Sequence, residues 1–179
     1  MTARFPMSRL ACGVLALLAF VALLVVQFNV PWANAHQSGF GASSDQTART
    51  WGQDSSGSAF GFSGHDSKNW YDGGWDDSQQ SAVDQLRVAA PLLVGGAVIL
   101  LLGAILALAM PGGTGAIVSL IGAVVAAAAA ALYYVAIDDL YNDQASWQVG
   151  FFVAIGGAAL GVVGGVLGLL GGTARQTTG

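Results

Sequence analysis

The sequence predicts an all-α membrane protein, a four-helix transmembrane bundle that carries a small polar head with strand-like stretches outside the cell. The count falls to three helices if the first segment is a cleaved signal. Three observations predict this class. The 179 residues are 54% hydrophobic and 9% charged, whereas a soluble domain carries about a quarter charged residues. Apolar runs long enough to cross a bilayer, about 20 residues each, recur along the chain. The ten acids, all aspartate, are confined to two polar stretches, residues 36–87 and 138–148.

The first apolar segment covers residues 10–30, and its stretch 10–26 holds no charged side chain. Arg4 and Arg9 precede it. Ala33-Asn34-Ala35 then matches the small-x-small pattern of signal cleavage before His36, although the apolar core exceeds the usual 7–15 residues. Retained helix and cleaved signal both stay open, and both place residues 36–87 outside. Cys12 is the only cysteine, so an internal disulfide is impossible. Arg9 stands where a lipoprotein signal needs an apolar residue. Palmitoylation suits such a position; the simpler reading is a small residue facing lipid or a neighbouring helix.

Residues 36–87 form the polar acidic head. Phe40, Trp51, Phe60, Phe62, Trp70, Tyr71 and Trp75 distinguish it from a linker, which lacks aromatics. Period-two alternation at 47–51 and 58–63 reads as strand, and Asp72-Gly73-Gly74 reads as a turn. About 50 residues make a marginal core, so the head is expected to lean on the helices or on a partner. Ser81-Ala82-Val83-Asp84 matches a capping box, which starts the next helix about two turns before the membrane. Pro91 offers a later start as a first-turn proline.

Residues 88–110 are an uncharged span. Pro111-Gly112-Gly113 makes a cytoplasmic turn, and residues 114–137 cross back. Asp138 and Asp139 end that span, because one aspartate at mid-membrane costs roughly 2.5–3.5 kcal/mol and a leucine returns about 0.3–0.6. Residues 138–148 form the second outer loop, 149–170 the last span and 171–179 a cytoplasmic tail. Arg4, Arg9 and Arg175 fall on one side with no acid. Arg49, Lys68 and Arg87 share the other with every aspartate. Arginine-bearing short ends belong in the cytoplasm, and Trp32, Tyr133, Tyr134, Tyr141 and Trp147 mark an outer aromatic belt.

The clearest motif is glycine at every fourth position. Gly157, Gly161 and Gly165 form one row of the last helix, and Gly164, Gly168 and Gly172 form another. Gly122 with Ala126 and Ala130 makes a similar stripe on the preceding helix. Small residues at this spacing let helix backbones approach closely, either inside the bundle or against another subunit. Trp51, Trp70, Tyr71 and Trp75 are the expected anchors for a protein partner, since aromatics dominate interface energetics.

Other classes fit less well. The spans carry no ionisable side chain of the kind proton relays and ion-coupled transporters require. His65 and Asp66 with Asp72, Asp76 or Asp77 match no zinc pattern and no EF-hand loop, which closes with glutamate. No nucleophile–base set or phosphate loop is present. The expectation is therefore no enzyme, no catalytic residue, no metal and no cofactor. The chain has no basic cluster for nucleic acid.

The layout resembles claudin-like four-pass proteins: both ends inside, a long tryptophan-bearing first outer loop, a short cytoplasmic turn and a small second outer loop. Trp51, Trp70 and Trp75 echo that family's tryptophans, and its cysteine pair is absent. The resemblance implies barrier or adhesion roles. The expected partners are the lipid bilayer and other membrane proteins or a homo-oligomer. The expected function is a structural or interaction protein, with a passive channel or small transporter subunit as the alternative.

Overall fold

The structure, a computed structural model, describes residues 7–28, 30–110, 113–141 and 144–173. Its elements in chain order are α1 (Met7–Gln27), β1 (Ala33–Gly39), β2 (Ala42–Arg49), β3 (Gly52–Ala59), β4 (Phe62–Asn69), α2 (Asp77–Ala109), α3 (Thr114–Tyr141), β5 (Ser146–Trp147) and α4 (Val149–Thr173). All four helices are long and apolar enough to cross a membrane. Between them sits one antiparallel sheet of order β4-β3-β2-β1-β5. Arg4, Asn29, Pro111, Gly112 and Arg175 lie outside the described residues.

The bundle is held by small residues. A Cβ on Gly96 of α2 would meet the Ala126 backbone of α3 at 2.8 Å, and one on Gly122 would meet the Leu100 backbone at 2.7 Å. Gly103 faces Ser119 and Gly115 faces Ala107 more closely still. Without a Cβ, α2 and α3 pack backbone to backbone, the close approach that small residues permit. At the far end from the sheet, Arg9 donates to the carbonyls of Ala107 (3.3 Å) and Met110. These lie at the end of α2, where carbonyls lack helical partners and a cation is favoured.

Several local expectations need correction. Helix α2 spans 33 residues from Asp77, about 50 Å at 1.5 Å per residue, far more than a hydrocarbon core of about 30 Å. Ser81 and Asp84 therefore lie inside the helix instead of capping it; Asp84 accepts from Gln80 (2.9 Å) and Arg87 (2.8 Å). Pro91 is also interior. A helical proline lacks the N–H that would bond the carbonyl four residues earlier. That carbonyl, of Arg87, instead accepts from the Tyr71 hydroxyl at 2.8 Å. Asp138 and Asp139 lie in the last turn of α3, which runs on to Tyr141.

The strands also differ from the alternation. Residues 47–51 run past the end of β2, and residues 58–63 straddle a turn. The real punctuation is Phe-Gly. Phe40 (φ 47°) with Gly41 (φ 81°), and Phe60 (φ 51°) with Gly61 (φ 88°), close two hairpins, with Gly39 opposite Ala42 and Ala59 opposite Phe62. Two-residue turns of this kind need positive φ at both central positions, because their twist matches that of the strands. Ala33-Asn34-Ala35 is part of β1, and Ala33 pairs with both Ala48 and Trp147.

The register aligns four strands into transverse rungs. Ala33, Ala48, Gln53 and Lys68 form the rung nearest the helices; His36, Asp45, Ser56 and His65 form a middle one; Ser38, Ser43, Ser58 and Ser63 lie near the tips. Directly opposed residues share a face. Only the helix-proximal end of the sheet is buried. Higher up, backbone ladders and side-chain bonds hold it, such as Ser43 to Ser58 at 3.0 Å.

Candidate interaction surface

The sheet is joined to the bundle by a buried polar–aromatic knot. Trp32, which follows α1, stacks on Tyr133 of α3 with ring centroids 4.2 Å apart. The Trp32 indole N–H donates to Thr50 Oγ1 (3.0 Å), whose own hydroxyl donates to the Val26 carbonyl (2.7 Å). The Tyr133 hydroxyl reaches the carbonyls of Arg49 (2.5 Å) and Thr50 (2.6 Å) and accepts from the Trp70 indole N–H (3.0 Å). Trp32, Thr50, Trp70 and Tyr133 are all fully buried. Indole and phenol rings suit such a place because they bury a large apolar body and still offer a polar atom. The knot joins the end of α1, the β2–β3 turn, the end of β4 and α3.

Arg87 fastens the segment after β4. Its guanidinium donates to the carbonyls of Trp70 (2.6 Å) and Asp72 (3.3 Å). Lys68 lies over the Trp75 ring at 4.2 Å and donates to the Gly74 carbonyl (2.6 Å). Trp75 in turn packs on Trp70 at 5.5 Å. The lower head is thus braced by cations seated on carbonyls and rings.

The four anchors named from sequence therefore separate. Trp70 is in the knot and has no surface for a partner. Trp51 and Trp75 are half-buried, and Trp75 packs against the buried core. Tyr71 remains exposed on its ring face while its hydroxyl serves α2. Of the aromatic belt, Trp32, Tyr133 and Tyr141 are buried. Tyr134 stacks on Trp147 at 4.7 Å, and Trp147 meets Phe151 at 4.5 Å, outside the knot.

The glycine rows face inward. Gly157 and Gly164 lie against α1, at Ala22 and Leu15; Gly161 and Gly165 lie against Ala123 and Leu120 of α3. Gly168 sits where Cys12 and Ala116 converge, and Gly122 faces α2 as described. Gly172 falls in the last turn of α4, where only the backbone is described. Cys12 is buried.

The most exposed apolar side chains of the head are at its tips. Phe40, Phe60 and Phe62 are 103%, 83% and 83% exposed. Eight-residue strands hold these tips roughly 26 Å from the knot, at about 3.3 Å per residue. Pairing of Ala42 with Ala59 sets the two tips side by side. Below them a groove of about 710 Å³ is floored by Gly39, Ala42, Gly57, Ala59 and Gly64 and edged by Phe62. Residues 37–44 and 57–64 carry no charge. A bulky residue at positive φ is an outlier, and Asn-Gly would meet the same turn at less strain. In the sequence the signal of both turns is Phe-Gly recurring 20 residues apart.

Among the described residues, no three His, Cys, Asp or Glu side chains converge as metal ligands would. His36 bonds Asp45 at 2.6 Å on the exposed sheet, and His65 stands three strands away on the same rung. A scan of protein-family models finds no match to the chain, and a search of curated proteins finds none either.

Proposed function

We propose that this is an integral membrane interaction protein in which α1–α4 cross the bilayer and the sheet is presented outside to bind membrane partners or further copies of the chain. The exposed Phe40, Phe60 and Phe62 at adjacent tips carry this reading. Aromatic side chains on a rigid, uncharged scaffold are the usual energetic centre of an interface, and soluble surfaces rarely leave such a group uncovered. The inward glycine rows make the helices an anchor and leave recognition to the head. The claudin-like layout supports a structural or adhesive role in place of turnover. Helix α1 is read as retained, because Trp32 and Ala33, on the removed side of a cut after Ala35, complete the knot and the first rung. Orientation follows the arginines, with Arg9 inside.

The test is photo-crosslinking in the native membrane from a benzophenone side chain placed at position 60. Discrete adducts of defined mass are expected from that position, and none from position 56 in mid-sheet. Equal, diffuse labelling from both positions would refute the reading.

A further inference from the structure

A second apolar groove runs between α3 and α4. Its volume is about 480 Å³, and its lining is almost wholly apolar. Ala130 and Ala158 form the floor at 3% and 4% exposure, and Val135, Phe151, Ile155 and Val162 stand as walls. The Tyr134–Trp147–Phe151 stack closes the end nearest the sheet.

We propose that this groove is a lipid site that seats one acyl chain of a phospholipid whose headgroup carries an amine. The proposal rests on the membrane reading of α3 and α4. A groove on such helices is filled by hydrocarbon or by another helix. A helix is about 10 Å across. The branched and aromatic walls keep its backbone from the alanine floor, whereas close approach is what small-residue helix contacts require. The stack supplies an interfacial lid, since Tyr and Trp place an apolar body in the chain region and a polar atom among headgroups. Asp139 is exposed one helical turn above Val135 of the groove wall, and neighbours at i and i+4 share a helix face. An acidic side chain at this end of the groove favours a net-neutral, amine-bearing headgroup over an anionic one.

Native mass spectrometry of the full chain, released from nanodiscs of equal phosphatidylethanolamine and phosphatidylglycerol, tests this. Recovery of the chain from washed membranes only with detergent checks the membrane reading first. One retained phosphatidylethanolamine is expected, at least fivefold over phosphatidylglycerol. Ala131→Leu and Ala159→Leu fill the groove from its exposed rim and should each reduce retention at least fivefold. Ala128→Leu, exposed on α3 outside the groove, should leave it unchanged. No retained lipid, equal retention of both lipids, or retention indifferent to filling would overturn the proposal. So would a dimer lost on filling, which would make a second copy the occupant.

Discussion

The Tyr71 hydroxyl donates at 2.8 Å to the carbonyl of Arg87, the acceptor that Pro91 leaves without its helical N–H. A residue of the loop after β4 thereby repairs a break in α2 and ties the head to the helix that follows. The pair predicts a coupling. Tyr71→Phe should cost about 0.5–1.5 kcal/mol, the net worth of one hydrogen bond. Most of that cost should disappear when Pro91→Ala restores the helical donor. A double-mutant cycle by thermal melting in mild detergent measures it, and strictly additive effects would show that the bond does not repair the helix.

The knot predicts a larger effect. Tyr133→Phe removes the donor to the Arg49 and Thr50 carbonyls and leaves the Trp70 indole with only its second acceptor, the Arg49 carbonyl at 3.1 Å. Unpairing buried groups of this kind costs roughly 1–3 kcal/mol. Trp32→Ala should cost about 3–5 kcal/mol, as for other large-to-small changes at buried aromatics. Hydrogen exchange of β1–β4 amides should accelerate in both variants more than exchange in mid-α4. Uniform acceleration would mean that the knot does not specifically hold the sheet.

The bundle predicts an asymmetry between glycines. Gly115→Ala pushes a Cβ into the Ala107 backbone and should destabilise by roughly 1–3 kcal/mol, the cost of overpacking. Gly156→Ala meets nothing within 4 Å and should be neutral or stabilising by up to about 1 kcal/mol through helix propensity. Melting temperatures of the two variants give the comparison. Equal losses would contradict the backbone-to-backbone packing of α2 and α3.

The helices were legible because four long apolar stretches dominate the composition, and charge placement separated them from the head. The sheet was only half legible. Its strands are built from Ser, Gly, Gln and Asp, which carry weak strand preference, and its upper half has no buried face to impose alternation. Turn chemistry held the register, and Phe-Gly is an unusual form of it. Sequence cannot tell the buried Trp70 indole from an exposed anchor, because its burial depends on Tyr133, 63 residues away. The Gly96 and Gly103 faces have no signature in α2 alone, because their partners lie on α3 and only the pairing of two helices reveals them.

Phe40→Asn with Phe60→Asn is the sharpest probe of the interaction reading. Asparagine tolerates positive φ, so the double variant should fold at least as stably as the parent, by up to about 1 kcal/mol per turn. Native mass spectrometry of both proteins, extracted from their own membrane in mild detergent, should show a complex for the parent and an isolated chain for the variant. An unchanged complex in the variant, or a parent that is already an isolated chain, would contradict the claim that the hairpin tips are the binding surface.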